Sequence, residues 1–190
     1  MFFKRISAYL IDCIILFFVI TLVNFFIPIS AETKDLNDKF FKVSQEYLEE
    51  KITVVEYNEQ LEEVNYKLAK ATYISSVVSI GIYILYFVVY QAYNNGQTLG
   101  KKLFKIQVVK TDDSMVDMNS LLVRGLIPYG LLVNLILNIS ILFINQSGYV
   151  LLSTLLNNAH LIIIVITLIM MMIKSRGIHD ILSRTKVVQM

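Results

Sequence analysis

Thiol chemistry is almost absent from this chain, which has one cysteine, Cys13. Without a second thiol there is no intrachain disulfide and no CxxC metal site, and Cys13, set inside an apolar run, reads as a small buried hydrophobe. An excess of charge is missing too. Seventeen Lys and Arg face fifteen Asp and Glu, a formal +2, and no basic run is interleaved with aromatics, which argues against a nucleic-acid partner. Enzyme signatures are also lacking: the chain has no HExxH, no GxSxG and no Ser/His/Asp or Cys/His grouping that its topology would assemble. Neither catalysis nor a cofactor is expected. Gly96 and Gly100 are spaced wrongly for a P-loop. Asp112, Asp113 and Asp117 lack the glycine and terminal glutamate of an EF-hand, so no metal is expected either.

What the chain has in quantity is apolar length. It is 56% hydrophobic with a mean hydropathy of +0.62, and the apolar residues fall in long blocks. That is the composition of a membrane protein. A span needs about 20 apolar residues at ~1.5 Å each, and four stretches qualify: 6–29, 73–92, 121–143 and 149–173. The expected fold is therefore an all-α membrane protein, a four-transmembrane-helix bundle. The last two spans are joined by the uncharged "INQSG", read as a tight turn ending at Gly148. A secretory signal cleaved after Ala31 is the rival for the first stretch. Its apolar region is too long for that, and it holds Asp12.

Lysine and arginine set the orientation. Lys4 and Arg5, then Lys101, Lys102, Lys105 and Lys110, then Lys174, Arg176, Arg184 and Lys186 belong on one side. Residues 30–72 carry six Lys against ten acidic residues and belong on the other. The expectation is an integral protein of the cell membrane with both termini cytoplasmic. Segment 30–72 is expected to be an outer helical hairpin between spans one and two. Leu36, Phe40, Val43 and Tyr47 lie at helical spacing behind a Thr33 cap, and Val54, Tyr57, Leu61, Val64 and Leu68 do so behind Thr53. Segment 93–120 reads as a cytoplasmic amphipathic stretch, with Lys101, Lys102 and Lys105 facing lipid headgroups and "IQVVK" a short strand-like run.

Three motifs, in order, resemble the RDD family of small integral membrane proteins. They are "RISAYLID", with Arg5 and Asp12; "GQTLGKKLFKIQVV", from Gly96 to Val109; and the tail "RGIHDILSRTKVV", with His179, Asp180 and Thr185. Arg124 is similar to an arginine common at the start of the family's third span. The resemblance covers the whole of 1–190 as one domain except for 30–70, an outer insertion longer than the family's usual loop. It implies that Asp180 is the second aspartate, and it implies transport of an unidentified ligand.

A charge in the hydrocarbon core costs on the order of 3 kcal/mol, so Asp12, some 9 Å in from residue 6, needs a partner or a task. Arg5, at i−7, is too distant along the helix for a direct pair. The partner is expected on another span, on a second subunit, or in a passing cation. Arg5, Arg124 and Asp180 all fall at cytoplasmic helix ends and are expected to meet in one layer. Asn134, Asn138 and His160, with Asn157 and Asn158, are candidates for a polar path beyond it, or for plain interhelical hydrogen bonding. His179 is expected to orient the tail turn beside Gly177, with titration near neutral pH as the alternative. Two function classes stay open, with a lipid-handling role, resting only on the interfacial lysines, as a third and weaker one. One is a transporter, coupled to a cation or proton through Asp12 and built as a homodimer around a small ion or solute. The other is a membrane scaffold whose acidic hairpin binds a protein partner.

Overall fold

A computed structural model describes all residues, 1–190. Its helices are α1 (Phe2–Phe25), α2 (Ala31–Leu48), α3 (Val54–Ala71), α4 (Tyr73–Tyr93), α5 (Leu99–Leu103), α6 (Met118–Gly125), α7 (Leu131–Ser140), α8 (Gln146–Lys174) and α9 (Ile178–Leu182). Two strands complete it, β1 (Ile106–Lys110) and β2 (Thr185–Gln189). Helices α1, α4 and α8 are long and apolar enough to cross a membrane. Their outward faces carry Phe17, Phe18, Leu151 and Ile162, all exposed, as expected of faces that lipid covers.

The third expected span, 121–143, is not one helix. Pro128 offers no backbone N–H, and Gly130 sits at φ +63°, so the segment folds as α6, a turn, and the ten-residue α7. At ~1.5 Å per residue α7 reaches about half way through a hydrocarbon layer. A second irregularity lies opposite this break, where Leu85–Tyr90 in α4 winds as a wider π-helical turn. Single π-turns of this kind recur at functional sites.

The all-α expectation needs one correction. The tail returns to pair with the stretch between α5 and α6, giving a two-stranded antiparallel sheet with Ile106 opposite Gln189 and Lys110 opposite Thr185. Strand β1 packs its valine into a small core of Val88, Val108, Val116 and Leu121.

Helices α2 and α3 form the helical hairpin read from their periodicity. Tyr47 stacks on Tyr57 at 4.4 Å, Lys39 pairs with Glu63 at 3.5 Å, and Leu36, Val43 and Val64 are buried between the arms. Thr53 caps α3 in a reciprocal capping box with Glu56. The first arm starts earlier than expected, with Ser30 rather than Thr33 as its cap. The second runs through Thr72 straight into α4. The hairpin lies at the end of the bundle opposite the sheet, where Tyr66 donates to the Ile144 carbonyl at 3.1 Å and packs against Tyr149. The turn before α8 is also shorter than read. Asn145 caps the helix by accepting from the Gly148 N–H at 3.0 Å, which leaves Gly148 inside the first turn.

Candidate functional site

Three of the expected charges meet at the sheet end of the bundle. Asp180, fully buried on the one-turn helix α9, takes Arg5 Nη2 on Oδ2 at 2.6 Å and Arg124 Nη1 on Oδ1. The Gly177 N–H also donates to Oδ2, at 2.8 Å. Arg5 closes the other side by donating to the Ser175 carbonyl at 2.8 Å, where α8 ends in a left-handed residue and leaves carbonyls without helical partners. Arg124 donates again to Thr185 Oγ1 at 2.7 Å, which ties the clamp to β2. The result fastens α1, α6, α8, α9 and the sheet to one carboxylate.

The electrostatics follow from this packing. Burial alone pushes the Asp180 carboxyl up, but the guanidiniums of Arg124 and Arg5 outweigh it and hold the group well below the usual carboxylate range. His179 is driven the other way. Burial, then Arg124 and Arg5, push it down to about 3, so the ring is neutral at physiological pH. A neutral ring packed against Gly177 fits the expected positioning role.

The sign of the pH dependence is fixed by that depressed value. The unfolded chain takes a proton on His179 near pH 6.5, while the folded chain refuses it until about pH 3. Stability is complete above pH 6.5 and declines as pH falls toward 3. The His179→Gln variant is expected to flatten the slope of Tm against pH between 6.5 and 4.5, measured by thermal unfolding in detergent.

Asp12 is buried separately, and its partners come from α4 and the start of α5. Tyr86, in the π-turn, donates to Oδ1 at 2.6 Å, the Gly100 N–H to Oδ1 at 2.8 Å, and Thr98 Oγ1 to Oδ2 at 2.5 Å. Lys101 Nζ stands 4.0 Å from Oδ2. Of the partners anticipated for it, another span supplies one, Tyr86, while the α4–α5 connection supplies the rest. Arg124 is not among them.

Lys101 departs from its expected place. Rather than meeting headgroups it is buried, reaching Gln91 Oε1 at 3.4 Å and Thr98 Oγ1 at 3.3 Å, whereas Lys102 and Lys105 stay exposed. The burial of Lys101, only partly offset by Asp12, pushes its ammonium down to about 7. Between pH 7 and 10 the unfolded chain holds a proton that the folded Lys101 has lost, so the parent's Tm is expected to gain from this group as pH rises, and Lys101→Met to remove that contribution to the slope of Tm against pH.

A cavity of about 310 Å³ opens beside these groups, between α1, α6 and α8. Its polar end is formed by Arg5, Arg124, Lys101 and His179, and no carboxylate lines it. Its walls include Leu10, Tyr129, Ile164 and Leu168. Tyr129, in the α6–α7 break, is stacked on Phe87 of the π-turn, so both irregular segments back onto this space. The remaining expected residues lie apart. Asn138 donates to Ser76 Oγ at 2.9 Å on α4, Asn134 is exposed, and His160 is half-buried near Gly130. Asn157 and Asn158 are exposed. They make no continuous polar path.

Sequence reasoning gave no site role to Tyr86, Thr98, Gly100 or Thr167, and it named Thr185 only as part of the tail motif. Only Thr98 left a usable trace, as a capping residue in front of "LGKKL", where its hydroxyl accepts from the Lys101 N–H at 3.3 Å.

The RDD family model matches residues 1–184. The chain belongs to the RDD family. No curated protein and no solved structure matches it. Within this RDD protein, Arg5 and Asp180 are partners in one clamp, and Asp12 is the separate carboxylate that docks the α4–α5 connection against α1.

Proposed function

We propose that this RDD protein is a small multi-pass transporter whose ligand is an anion that occupies the basic cavity. One observation carries the proposal. The broken α6–α7 element lines a cavity that has three basic side chains and no acidic one, and the π-turn of α4 stands behind its wall through Phe87 stacked on Tyr129. Discontinuous helices with charged groups at the break are a recurrent way of building substrate sites in secondary transporters. The topology proposed with it keeps both termini cytoplasmic. The α2–α3 hairpin is then outside, and α6–α7 is a fourth, interrupted crossing.

Asp12 supports coupling less well than the sequence suggested. It holds three protein donors and a protein cation, and it does not line the cavity. The transport test is efflux of radiolabelled hexyl phosphate from proteoliposomes, with internal pH followed in parallel. The parent is expected to release the probe faster than protein-free vesicles, and Ile164→Trp, which fills the cavity, is expected to abolish the difference. Equal efflux with and without protein would remove the proposal. An Asp12→Asn variant that stays folded and matches the parent in both signals would take Asp12 out of the mechanism.

A further inference from the structure

The cavity has a second character besides its charge. Leu10 and Leu168, which form part of its wall, are themselves exposed on the outer surfaces of α1 and α8, so the space reaches the face that lipid covers. One end is cationic and the other is continuous with the bilayer interior. A small hydrophilic anion would leave the apolar wall unmatched, and a neutral hydrocarbon would leave the basic groups unmatched.

Two buried polar atoms sharpen this. Thr167 Oγ1 and His179 Nδ1 have no hydrogen-bond partner, both residues are more than nine-tenths buried, and both line the cavity. They are close neighbours, since a Cβ placed on Gly177 would touch both side chains. Buried polar atoms are nearly always paired, and two orphans on one cavity wall point to a ligand that completes them. Arg124 adds capacity of the same kind. It donates to the protein through Nη1 alone, and neither Nε nor Nη2 is among the sealed unpaired atoms.

We infer that the cavity binds an acidic amphiphile, with a phosphate or carboxylate head between Arg124, Lys101, His179 and Thr167 and an alkyl chain leaving between α1 and α8 past Leu10 and Leu168. The inference rests on the cavity being the ligand site of the proposed transporter, and it names the ligand's class. The acid head accepts from Thr167 Oγ1 and from the Arg124 nitrogens that Asp180 leaves free, and the basic groups around it offset its charge. The chain is covered by apolar walls and then by lipid.

Two sources supply this chemistry, a bilayer phospholipid or a free alkyl acid. The test reads both, using the full chain in nanodiscs of phosphatidylcholine and native mass spectrometry. Dodecyl phosphate is added from solution in one arm, and phosphatidic acid is built into the disc in the other. Dodecanol and inorganic phosphate serve as comparisons. Retention of either acid, with both comparisons at least roughly tenfold weaker, is expected. The arm that binds identifies the source. If neither acid binds, or if dodecanol or inorganic phosphate binds as tightly, the inference is overturned.

Two variants guard against misfolding. Thr167→Val keeps the shape of the residue, and Ile164→Trp adds volume only at the half-buried wall. Both are expected to remain monodisperse. Thr167→Val is expected to weaken retention several-fold, the usual effect of losing one hydrogen bond, and Ile164→Trp to abolish it. Unchanged retention in a folded Ile164→Trp protein would place the amphiphile elsewhere. Retention without hexyl phosphate efflux would discard transport and keep this inference. Efflux without retention would do the reverse.

Discussion

Asp180→Ala is expected to destabilise the protein by about 3–5 kcal/mol, the cost of removing one partner from a buried ion pair. The reason is specific to this site. Asp180 is the shared acceptor for Arg5 and Arg124, and without it two guanidiniums stay buried close together with no counter-charge. The Gly177 N–H at the start of α9 also loses its acceptor. Thermal unfolding in detergent should show a large fall in Tm. The loss should exceed that from any exposed pair, such as Lys67 with Glu63 on the hairpin, where about 0.3–0.5 kcal/mol is usual. The acid limb of the parent protein follows from the same carboxylate. Its folded pKa lies below the unfolded value near 3.9, so the clamp's contribution is whole above about pH 4 and fades only at lower pH. Pairing Asp180→Leu with Arg124→Met should recover part of the loss, since one buried guanidinium, Arg5, is then left without a counter-charge instead of two.

Gly100→Ala is the second large effect. A Cβ at Gly100 would fall well inside contact distance of the Ala8 carbonyl oxygen and only 2.9 Å from Asp12 Oδ1. Both obstacles belong to α1, one of them backbone, so the neighbour cannot swing aside. The start of α5 would have to lift away from α1. Lifting it breaks the hydrogen bonds from Thr98 and the Gly100 N–H to Asp12 and leaves that carboxylate buried with Tyr86 alone. Overpacking together with the lost charged hydrogen bonds amounts to roughly 3 kcal/mol or more. A comparable drop in Tm is expected, together with faster proteolysis between Tyr93 and Met118. Wild-type stability in this variant would show that Gly100 does not pack against α1 as described.

These two positions show how far a sequence carries the argument. Arg5, Arg124 and Asp180 were legible because each is a charge at the end of an apolar run, where it needs a partner, and because the topology places those ends together. The hairpin was legible because its apolar residues keep helical period over two arms. The sheet was not, since "IQVVK" and "TKVVQ" are five-residue strands more than 70 residues apart, and nothing local announces their pairing. The break in the third expected span was underread. Pro128 and Gly130 were visible, but the hydropathy of 121–143 overrode them. Lys101 was placed by pattern at the interface, and the structure turns it inward because Gly100, beside it, lets α5 press against α1. Asp12 drew attention as a functional carboxylate for its depth. Its depth is answered by donors from a loop that no periodicity connects to α1.

The most direct check on the central claim, that the basic cavity between α1 and α8 is the ligand site, is photo-crosslinking with dodecyl phosphate carrying a diazirine near the head, read by peptide mass spectrometry. The account predicts label on the peptides spanning Ile164 to Met171, which hold Thr167, and on those holding His179, lost in Ile164→Trp. Label spread over the lipid-facing residues, such as Phe17 and Leu151, and indifferent to Ile164→Trp would contradict it.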